Sequence, residues 1–447
     1  MATNFTKTKR AFAHSGVVSI AIMGLALVTG ILAARLLGPE GRGYLGAIVF
    51  WSGFLAVFGR PPAADVLVVE AGDSDSPRVS PTILKHMFKI VRLALLLFLP
   101  IYLSVIWLYF SRYPDEIRLI AIGFAAVQAF CSFQSQVYEG AFRANQAFTL
   151  LFLFRLSVPA LYILCLLVSF VFFEPSILTF AAAHACAMLL SLFFRLFVTG
   201  FADATDGEPA STKEPSRELW PMLLTFYGTT VFSFLTLHVD KAMVMLTQSI
   251  EQVGIYLVAL ALAFPAQGLL GYALNAVGLP TLVKVPQHKR EGAYLRLLRL
   301  TLFAAVSQSA AIAIIAPFAI PILFGTDFAA AGPMASAIAL ATLPMPLRRA
   351  FSEIFRSKRQ ANVITRVEAI YMATFVATFL LTTQLDVPWP FVPAFAVSNA
   401  AAVILLWTSL RRMHPEMRLS HWALPRVETV KEFIDLSRSA IARAGKS

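Results

Sequence analysis

Apolar stretches of about twenty residues follow one another along most of this chain, separated by short polar segments. We count twelve, near residues 15–34, 44–66, 92–110, 118–138, 149–172, 176–198, 219–242, 253–276, 295–317, 330–350, 364–384 and 390–410. A helix of about 20 apolar residues crosses the roughly 30 Å hydrocarbon core of a bilayer. The pattern therefore predicts an all-α polytopic membrane protein with twelve membrane-spanning helices.

The longest polar stretches divide this series. They lie near residues 70–88, 200–218 and 412–447. We expect an amino-terminal six-helix bundle over 1–199, a cytoplasmic linker over 200–218, a carboxy-terminal six-helix bundle over 219–411 and a basic cytoplasmic tail over 412–447. Apolar residues recur in that tail at helical spacing between basic ones, which predicts an amphipathic helix at the membrane surface.

Two short matches indicate that the halves are repeats. Residues 42–45 (RGYL) open span two and residues 254–257 (GIYL) open span eight, while 139–143 (EGAFR) and 353–356 (EIFR) follow spans four and ten. Both pairs are offset by about 212 to 214 residues. Six spans separate the equivalent elements, so the repeats share one orientation, and a binding site is expected between them near the membrane midplane.

Composition and charge narrow the class. The chain is 58% hydrophobic and 14% charged, with a mean hydropathy of +0.72, which excludes a soluble globular protein. Its net charge of +12 does not indicate nucleic acid, because only five of the 37 Lys and Arg residues fall on the outer side of a twelve-span arrangement (37 − 5 = 32 inside). This positive-inside bias predicts that both termini are cytoplasmic. It also predicts that the basic residues contact membrane lipids and not nucleic acid.

One face of span seven carries a polar stripe of Thr225, Thr229, Ser233, Thr236 and Asp240. Polar groups in a membrane helix normally face protein or a water-filled cavity, so the stripe indicates a path for a polar substrate. The alternative is that the hydroxyls bond carbonyls of their own helix. Polar residues recur similarly in span eight and span one, and these could share the same cavity: Gln267, Gly271, Asn275, Ser15, Ser19, Thr29.

Asp240 and Lys241 end this stripe. A carboxylate in a low-dielectric site can exchange protons near neutrality, so Asp240 is a candidate for proton or Na⁺ coupling, with Lys241 beside it. The alternative is an ion pair that only marks the end of the helix.

Arg60 precedes Pro61 and Pro62 in the inner third of span two. The apolar run before them is only sixteen residues long, so to cross the membrane the helix must continue through the prolines towards Val69. A broken membrane helix is tolerated where its backbone lines a cavity or packs on protein. Arg60 is then a candidate to bind pyrophosphate oxygens; alternatively, span two ends at Gly59 and Arg60 is a cytoplasmic anchor.

The other basic clusters lie near cytoplasmic ends. The residues are Arg143, Arg155, Arg348, Arg349, Arg356, Lys358 and Arg359, and Arg349 among them is a candidate to contact a lipid-linked phosphate. A role at the lipid surface explains them equally well. We find no nucleotide-binding loop, metal-ligand spacing or nucleophile motif, so the sequence favours a transporter without cofactors over an enzyme.

Four segments carry a family resemblance. These are 34–40 (ARLLGPE) with Gly43-Tyr44, Val239-Asp240-Lys241 followed by Gly254-Ile255-Tyr256, Leu279-Pro280, and Leu323-Phe324-Gly325 followed by Phe328. Together they resemble the polysaccharide-transporter branch of the MOP exporter superfamily, the O-antigen and exopolysaccharide flippases. The likeness covers most of the chain, and its motifs specify the superfamily better than the substrate.

This resemblance implies a MATE-like fold of two pseudo-symmetric bundles, a central cationic cavity and alternating access in the bacterial inner membrane. The implied cargo is an undecaprenyl-pyrophosphate-linked oligosaccharide, with a proton or cation gradient as driver and polysaccharide polymerase or assembly proteins as partners. Arg35, Arg42, Asp240 and Lys241 match family motif positions.

Competing functions stay open on the sequence. A cation-coupled multidrug antiporter of the same superfamily usually needs a carboxylate in the amino-terminal bundle, and span one has none. A lipid II flippase is closer, although fourteen spans are expected there. A membrane glycosyltransferase or polymerase is disfavoured by the short outer loops. A non-transporting scaffold of a polysaccharide assembly complex would keep the same fold.

Overall fold

The computed structural model describes residues 2–72, 79, 81–145, 147–203, 219–274, 282, 287–358, 360–418 and 420. Within them the chain is helical and contains no β-strand. The helices are α1 (Ala2–Gly59), α2 (Ala63–Gly72), α3 (Pro81–Phe110), α4 (Asp115–Ala144), α5 (Phe148–Phe172), α6 (Ile177–Asp203), α7 (Leu219–Thr247), α8 (Ile250–Ala273), α9 (Arg290–Phe324), α10 (Ala331–Ala341), α11 (Met345–Ser357), α12 (Ala361–Gln384) and α13 (Phe391–Met413).

These helices account for the twelve predicted spans. Eight stretches of the described residues are long and apolar enough to cross a membrane, and Ile20–Gly59 is 40 residues long, enough for two crossings. This stretch bends at Gly38 (φ 67°, ψ −177°), which separates spans one and two. Shorter apolar helices, Ile177–Phe193 and Ile250–Phe264, correspond to spans six and eight. The remaining span, ten, is formed by α10 and α11, and the multi-pass all-α prediction is confirmed.

Two spans differ from the continuous helices expected. Span two stops at Gly59, and the chain resumes as a helix at Ala63, so the helix does not run through Pro61 and Pro62. Span ten is interrupted by a turn over 342–344, where Pro344 and Pro346 follow each other closely. In both places proline lacks the N–H that an uninterrupted helix requires.

The chain forms two compact units. Unit 1 comprises Met1–His238 with Gln248–Gly254, and unit 2 comprises Val239–Thr247 with Ile255–Ser447. The expected cytoplasmic linker lies almost wholly outside the described residues, as does the tail beyond 420. Residues 219–238 of α7 thus group with the amino-terminal helices, although the sequence placed them in the second bundle.

Each unit has its own core. In unit 1, α4 is the central helix and packs against α1, α2, α3 and α6. In unit 2, buried side chains of α9, α11, α12 and α13 form one cluster around Leu298, Phe351, Phe355, Tyr371 and Leu406. Many large apolar side chains elsewhere are exposed, including Leu96, Leu108, Val171, Phe318 and Ile322, as expected for helices that face lipid.

Candidate functional site

The interruption between α1 and α2, after Gly59, is stabilised by a side chain from another helix. In a continuous helix the carbonyls of Val57 and Phe58 would accept bonds from residues 61 and 62, which are prolines without an N–H. The Tyr227 Oη of α7 donates instead to the Phe58 carbonyl. Burying that carbonyl without a partner would be costly, so Tyr227 stabilises the interruption at which Arg60 lies.

Beyond the break, α2 is packed on protein. Ala63, Ala64, Val66 and Leu67 are buried. The contact with α4 is close enough that a Cβ on Gly140 would lie 2.7 Å from the Ala64 Cα. A broken helix that is buried in this way satisfies the condition for irregular backbone at membrane depth.

An ion-pair network connects α2, α4 and α5. The Nη1 of Arg143 lies 3.5 Å from Asp65 Oδ1, and its Nη2 lies 3.5 Å from Glu139 Oε2. Arg155 contributes a further guanidinium, with Nη2 at 3.2 Å from the same Glu139 oxygen. Arg60 also interacts electrostatically with Glu139. Two arginines are therefore paired directly with two carboxylates, and Arg60 is within electrostatic range of one of them.

A cavity of about 870 Å³ borders this network within unit 1. Asp65 and Arg143 line its charged end, and Thr230 and Ser233 of α7 contribute hydroxyls. The rest of the lining is apolar and aromatic: Val68, Val69, Phe148, Phe226, Phe234, Leu237. The cavity thus combines paired charges, hydroxyls and apolar surface.

The polar stripe of span seven has a mixed outcome. Ser233 lines the cavity, whereas Thr236 is buried and donates to the Phe232 carbonyl of its own helix at 3.0 Å. Thr230, which is outside the stripe, is the other hydroxyl at the cavity. The side chains of Thr225 and Thr229 lie outside the described residues, as do those of Ser15, Ser19, Gln267, Gly271 and Asn275.

Asp240 lies in unit 2 and is only 3% exposed. The Tyr256 Oη donates to Asp240 Oδ2 at 2.7 Å, and the Lys241 Nζ lies 3.6 Å from the same oxygen. Tyr371 is close enough to interact electrostatically with Asp240 and with Arg348. The Asp240 carboxylate therefore lies in a buried polar cluster. This cluster includes more than the ion pair with Lys241 that the sequence offered as the alternative.

Three further candidates, Arg35, Arg42 and Arg349, are not among the residues that line the cavity. Arg35 is exposed on α1, and Arg42 lies partly buried near Gly30 and Tyr162. Arg349 is partly buried on α11, while its neighbour Arg348 is buried, with its guanidinium carbon 3.9 Å from the centroid of the Tyr371 ring.

Sequence reasoning missed the tyrosines of these sites. Tyr227 is 169 residues from its acceptor Phe58, and Tyr256 follows Asp240 by 16 residues on the next helix. Neither spacing produces a periodic signal. The signal for the ion-pair network was present, because Glu139 and Arg143 are one helical turn apart and Asp65 follows the prolines.

Solved structures show where this architecture recurs. An inward-facing multidrug resistance MATE family transporter of the MOP superfamily matches with a TM-score of 0.70 and 15% identity, over 90% of this chain and all of that one. The lipid II flippase MurJ in an inward closed conformation matches with a TM-score of 0.69 and 12% identity, over 95% of this chain and 92% of that one. At these identities the likeness establishes the fold, as the resemblance predicted.

The family itself follows from the sequence match. No curated protein matches the chain. The model of one family, described as polysaccharide biosynthesis protein, matches residues 9–285, which is more than half of the 447 residues. The chain therefore belongs to the polysaccharide biosynthesis protein family and has the fold seen in the MATE transporter and in MurJ.

Proposed function

We propose that this protein is a flippase for an undecaprenyl-pyrophosphate-linked oligosaccharide. It moves this cargo from the inner to the outer leaflet of the bacterial inner membrane by alternating access, with both termini in the cytoplasm. The observation that carries the proposal is the ion-pair network of Arg143 and Arg155 with Asp65 and Glu139, which borders the cavity of unit 1. Family membership supports the sugar polymer as the end product.

The carboxylates give this network a mechanism for exchanging anions. In the empty cavity, Asp65 and Glu139 partner the guanidiniums, so that no arginine is left with an uncompensated charge in low dielectric. A pyrophosphate has several oxygens that accept charge-assisted bonds from the arginine fork. Its arrival displaces the carboxylates, and its departure lets them return. Arginine is thus charge-paired both before and after binding.

The rest of the cargo fits the other surfaces. The cavity volume of about 870 Å³ lies within the usual range for ligand pockets. Thr230 and Ser233 offer hydroxyls to sugar oxygens, while Phe148, Phe226 and Phe234 offer aromatic faces. The prenyl chain stays in the surrounding lipid. Coupling to a proton or Na⁺ is assigned to Asp240, and polysaccharide polymerase or assembly proteins are the partners that this cargo implies.

Binding of defined lipids to the full-length protein in nanodiscs tests the proposal. The probes are undecaprenyl pyrophosphate and, as a matched lipid without phosphate, undecaprenol. Arg143→Gln removes charge-assisted bonds of about 1.5–3 kcal/mol, so we expect roughly tenfold to hundredfold weaker binding of the pyrophosphate only. Arg112→Gln is the control. Arg112 follows the last residue of α3 and stacks on the Tyr109 and Tyr113 rings, so this change removes an arginine that has no part in the network.

Two outcomes contradict the proposal. Equal affinity for pyrophosphate and alcohol would show that the network does not recognise the head group. Unchanged distribution of lipid-linked oligosaccharide between leaflets, after deletion of the gene in a host without a second flippase, would exclude flipping. Complementation of that deletion by a variant without probe binding would favour the scaffold role.

The aromatic lining supports a second candidate, the cation-coupled multidrug antiporter. Aromatic faces attract organic cations, and Asp65 could supply the counter-charge if Arg143 turned away. Binding of tetraphenylphosphonium that is lost in Asp65→Asn, together with no binding of undecaprenyl pyrophosphate, would select this alternative.

A further inference from the structure

The helix α3 continues well beyond the hydrocarbon of the membrane on the face of the amino terminus. Spans one and two bring the chain back to that face, and α3 then runs from Pro81 to Phe110. Its exposed leucines begin at Leu93. The 18 residues from there to Phe110 are about 27 Å long, close to the hydrocarbon thickness of about 30 Å. The first 12 of the 30 residues of α3 (30 − 18 = 12) therefore form an extension of about 18 Å.

One face of α3 changes from basic to apolar at this boundary. Lys85, Lys89 and Arg92 are exposed and lie on successive turns of the extension. Further along the helix, apolar side chains that are more than half exposed continue this face: Leu93, Leu96, Leu97, Ile101. The opposite face of the extension is buried against protein: Ile83, Met87, Ile90, Val91. The exposed face is thus complementary to a lipid with an anionic head group.

The three cations lack the acidic partners that the arginines beside the cavity have. Those arginines are paired with carboxylates, whereas Lys85, Lys89 and Arg92 form no ion pair with any residue that the structure describes. The Arg92 guanidinium carbon lies 5.7 Å from the centroid of the Phe88 ring, which lies 5.1 Å from the Tyr138 ring of α4. An aromatic ring orients a guanidinium but leaves its charge available to an anion.

The depths of the cations match a phospholipid head group. The headgroup layer adds about 5–7 Å to each side of the hydrocarbon. Lys89 lies three residues before Arg92, about 4.5 Å further out, and Lys85 lies seven residues before it, about 10.5 Å further out. Arg92 and Lys89 are therefore level with the phosphates, and Lys85 lies just outside them.

We infer that this face of α3 is a binding site for an anionic phospholipid of the leaflet on the side of the amino terminus. The phosphate lies between Arg92 and Lys89, and the acyl chains follow Leu93, Leu96 and Leu97. Such binding is independent of the proposed transport function.

The site also has a structural consequence for unit 1. Behind it, α3 packs on the end of span two so closely that a Cβ added to Gly59 would overlap the Phe98 ring. A lipid held on α3 therefore restrains the helix that covers the interruption after Gly59.

Native mass spectrometry of the full-length protein measures the affinity for the first bound lipid. The probes are dioleoylphosphatidylglycerol and dioleoylphosphatidylcholine, which have the same chains, and only the first has a net negative charge. In the variant K85Q/K89Q/R92Q we expect roughly tenfold weaker binding of phosphatidylglycerol, because cations at this depth attract anionic lipid. Binding of phosphatidylcholine should be weaker than that of phosphatidylglycerol and unchanged by the variant. The substituted side chains are exposed, so the variant should fold normally.

The matched control removes three other cations from the same membrane face. Arg366, Arg411 and Arg412 are also exposed and form no ion pair with a described residue, but they belong to two helices and do not align on one face. The variant R366Q/R411Q/R412Q loses the same charge and should keep the wild-type affinity for the first phosphatidylglycerol. An equal loss of affinity in both variants would show diffuse attraction by the whole basic face and would overturn the site.

Three further results would contradict the inference. Equal affinity of the wild type for the two phospholipids would show that the head group is not recognised. Undecaprenyl pyrophosphate that binds more tightly than phosphatidylglycerol, and loses this advantage in K85Q/K89Q/R92Q, would assign the face to a pyrophosphate lipid instead. Among the single variants, R92Q should weaken binding of phosphatidylglycerol most and K85Q least, and the reverse order would contradict the assigned depths.

Discussion

Removal of the hydrogen bond between Tyr256 and Asp240 by the substitution Tyr256→Phe tests whether Asp240 is charged in this state. Tyr256 is 1% exposed and donates its only hydroxyl proton to Asp240 Oδ2 at 2.7 Å. Tyr256→Phe keeps the ring but leaves the carboxylate with one fewer donor. A hydrogen bond to a charged group contributes about 1.5–3 kcal/mol, against about 0.5–1.5 kcal/mol for a neutral pair.

A second buried tyrosine provides the neutral reference. Tyr102 is also 1% exposed, and its Oη lies 2.9 Å from the Ser52 carbonyl and 3.2 Å from the Ala125 carbonyl. Both acceptors are helix carbonyls, so Tyr102→Phe leaves no charge behind. We expect Tyr256→Phe to cost about 1 kcal/mol more than Tyr102→Phe. For a folded unit of 150–250 residues this is a difference of roughly 2–4 °C in melting temperature.

Intrinsic fluorescence of the purified protein during heating gives both melting temperatures. Adding Asp240→Asn to Tyr256→Phe should cost less than the sum of the single changes, because the two side chains interact directly. If Tyr256→Phe costs no more than Tyr102→Phe, Asp240 is not a charged acceptor in this state. A neutral Asp240 would be a carboxyl that holds a proton, so this result would exclude a cation bound to an ionised Asp240 in this state and leave only proton coupling.

Three other changes test particular contacts. Gly140→Ala should destabilise the protein by about 1–3 kcal/mol, because α2 must move away, whereas Gly123→Ala on the same helix meets nothing within 4 Å and should be neutral or slightly stabilising in the same thermal assay. Tyr227→Phe leaves the Phe58 carbonyl without its donor, so it should lower the melting temperature and weaken pyrophosphate binding at the adjacent Arg60; unchanged binding would separate the tyrosine from the site. The pKa of Lys358 is lowered, mainly by burial. Between this lowered pKa and the ordinary pKa of lysine, the unfolded state therefore binds more protons than the folded state, and thermal stability should rise with pH. Lys358→Met should make that rise smaller.

Much of the fold was predictable because hydrophobic length is a direct signal. Among the described residues, each predicted span corresponds to helix in the structure, and Gly38-Pro39 at the end of span one marks the bend. The two interruptions, at Pro61-Pro62 and near Pro344, were harder to predict. Proline removes a donor in either case, but whether the helix bends or stops depends on what satisfies the freed carbonyls. At Phe58 that partner is Tyr227, which is distant in sequence.

The candidate site was predictable only in part, for a related reason. Arg143 and Ser233 each follow from local patterns, and the structure brings them to one cavity together with Asp65. Periodicity could not distinguish Ser233 from Thr236, since both lie on the same polar stripe and only packing decides which hydroxyl turns back to its own helix. The burial of Arg348 rather than Arg349 likewise depends on the Tyr371 ring opposite it.

The carboxylates beside the arginine network follow from what the proposed function requires of that network. If a pyrophosphate enters and leaves there, Asp65 and Glu139 must pair with the guanidiniums whenever it is absent, because an unpaired buried charge is costly. A network of arginines alone would bind the pyrophosphate but would be destabilised each time the cargo left, so the acidic residues are as much a part of the proposed mechanism as the arginines.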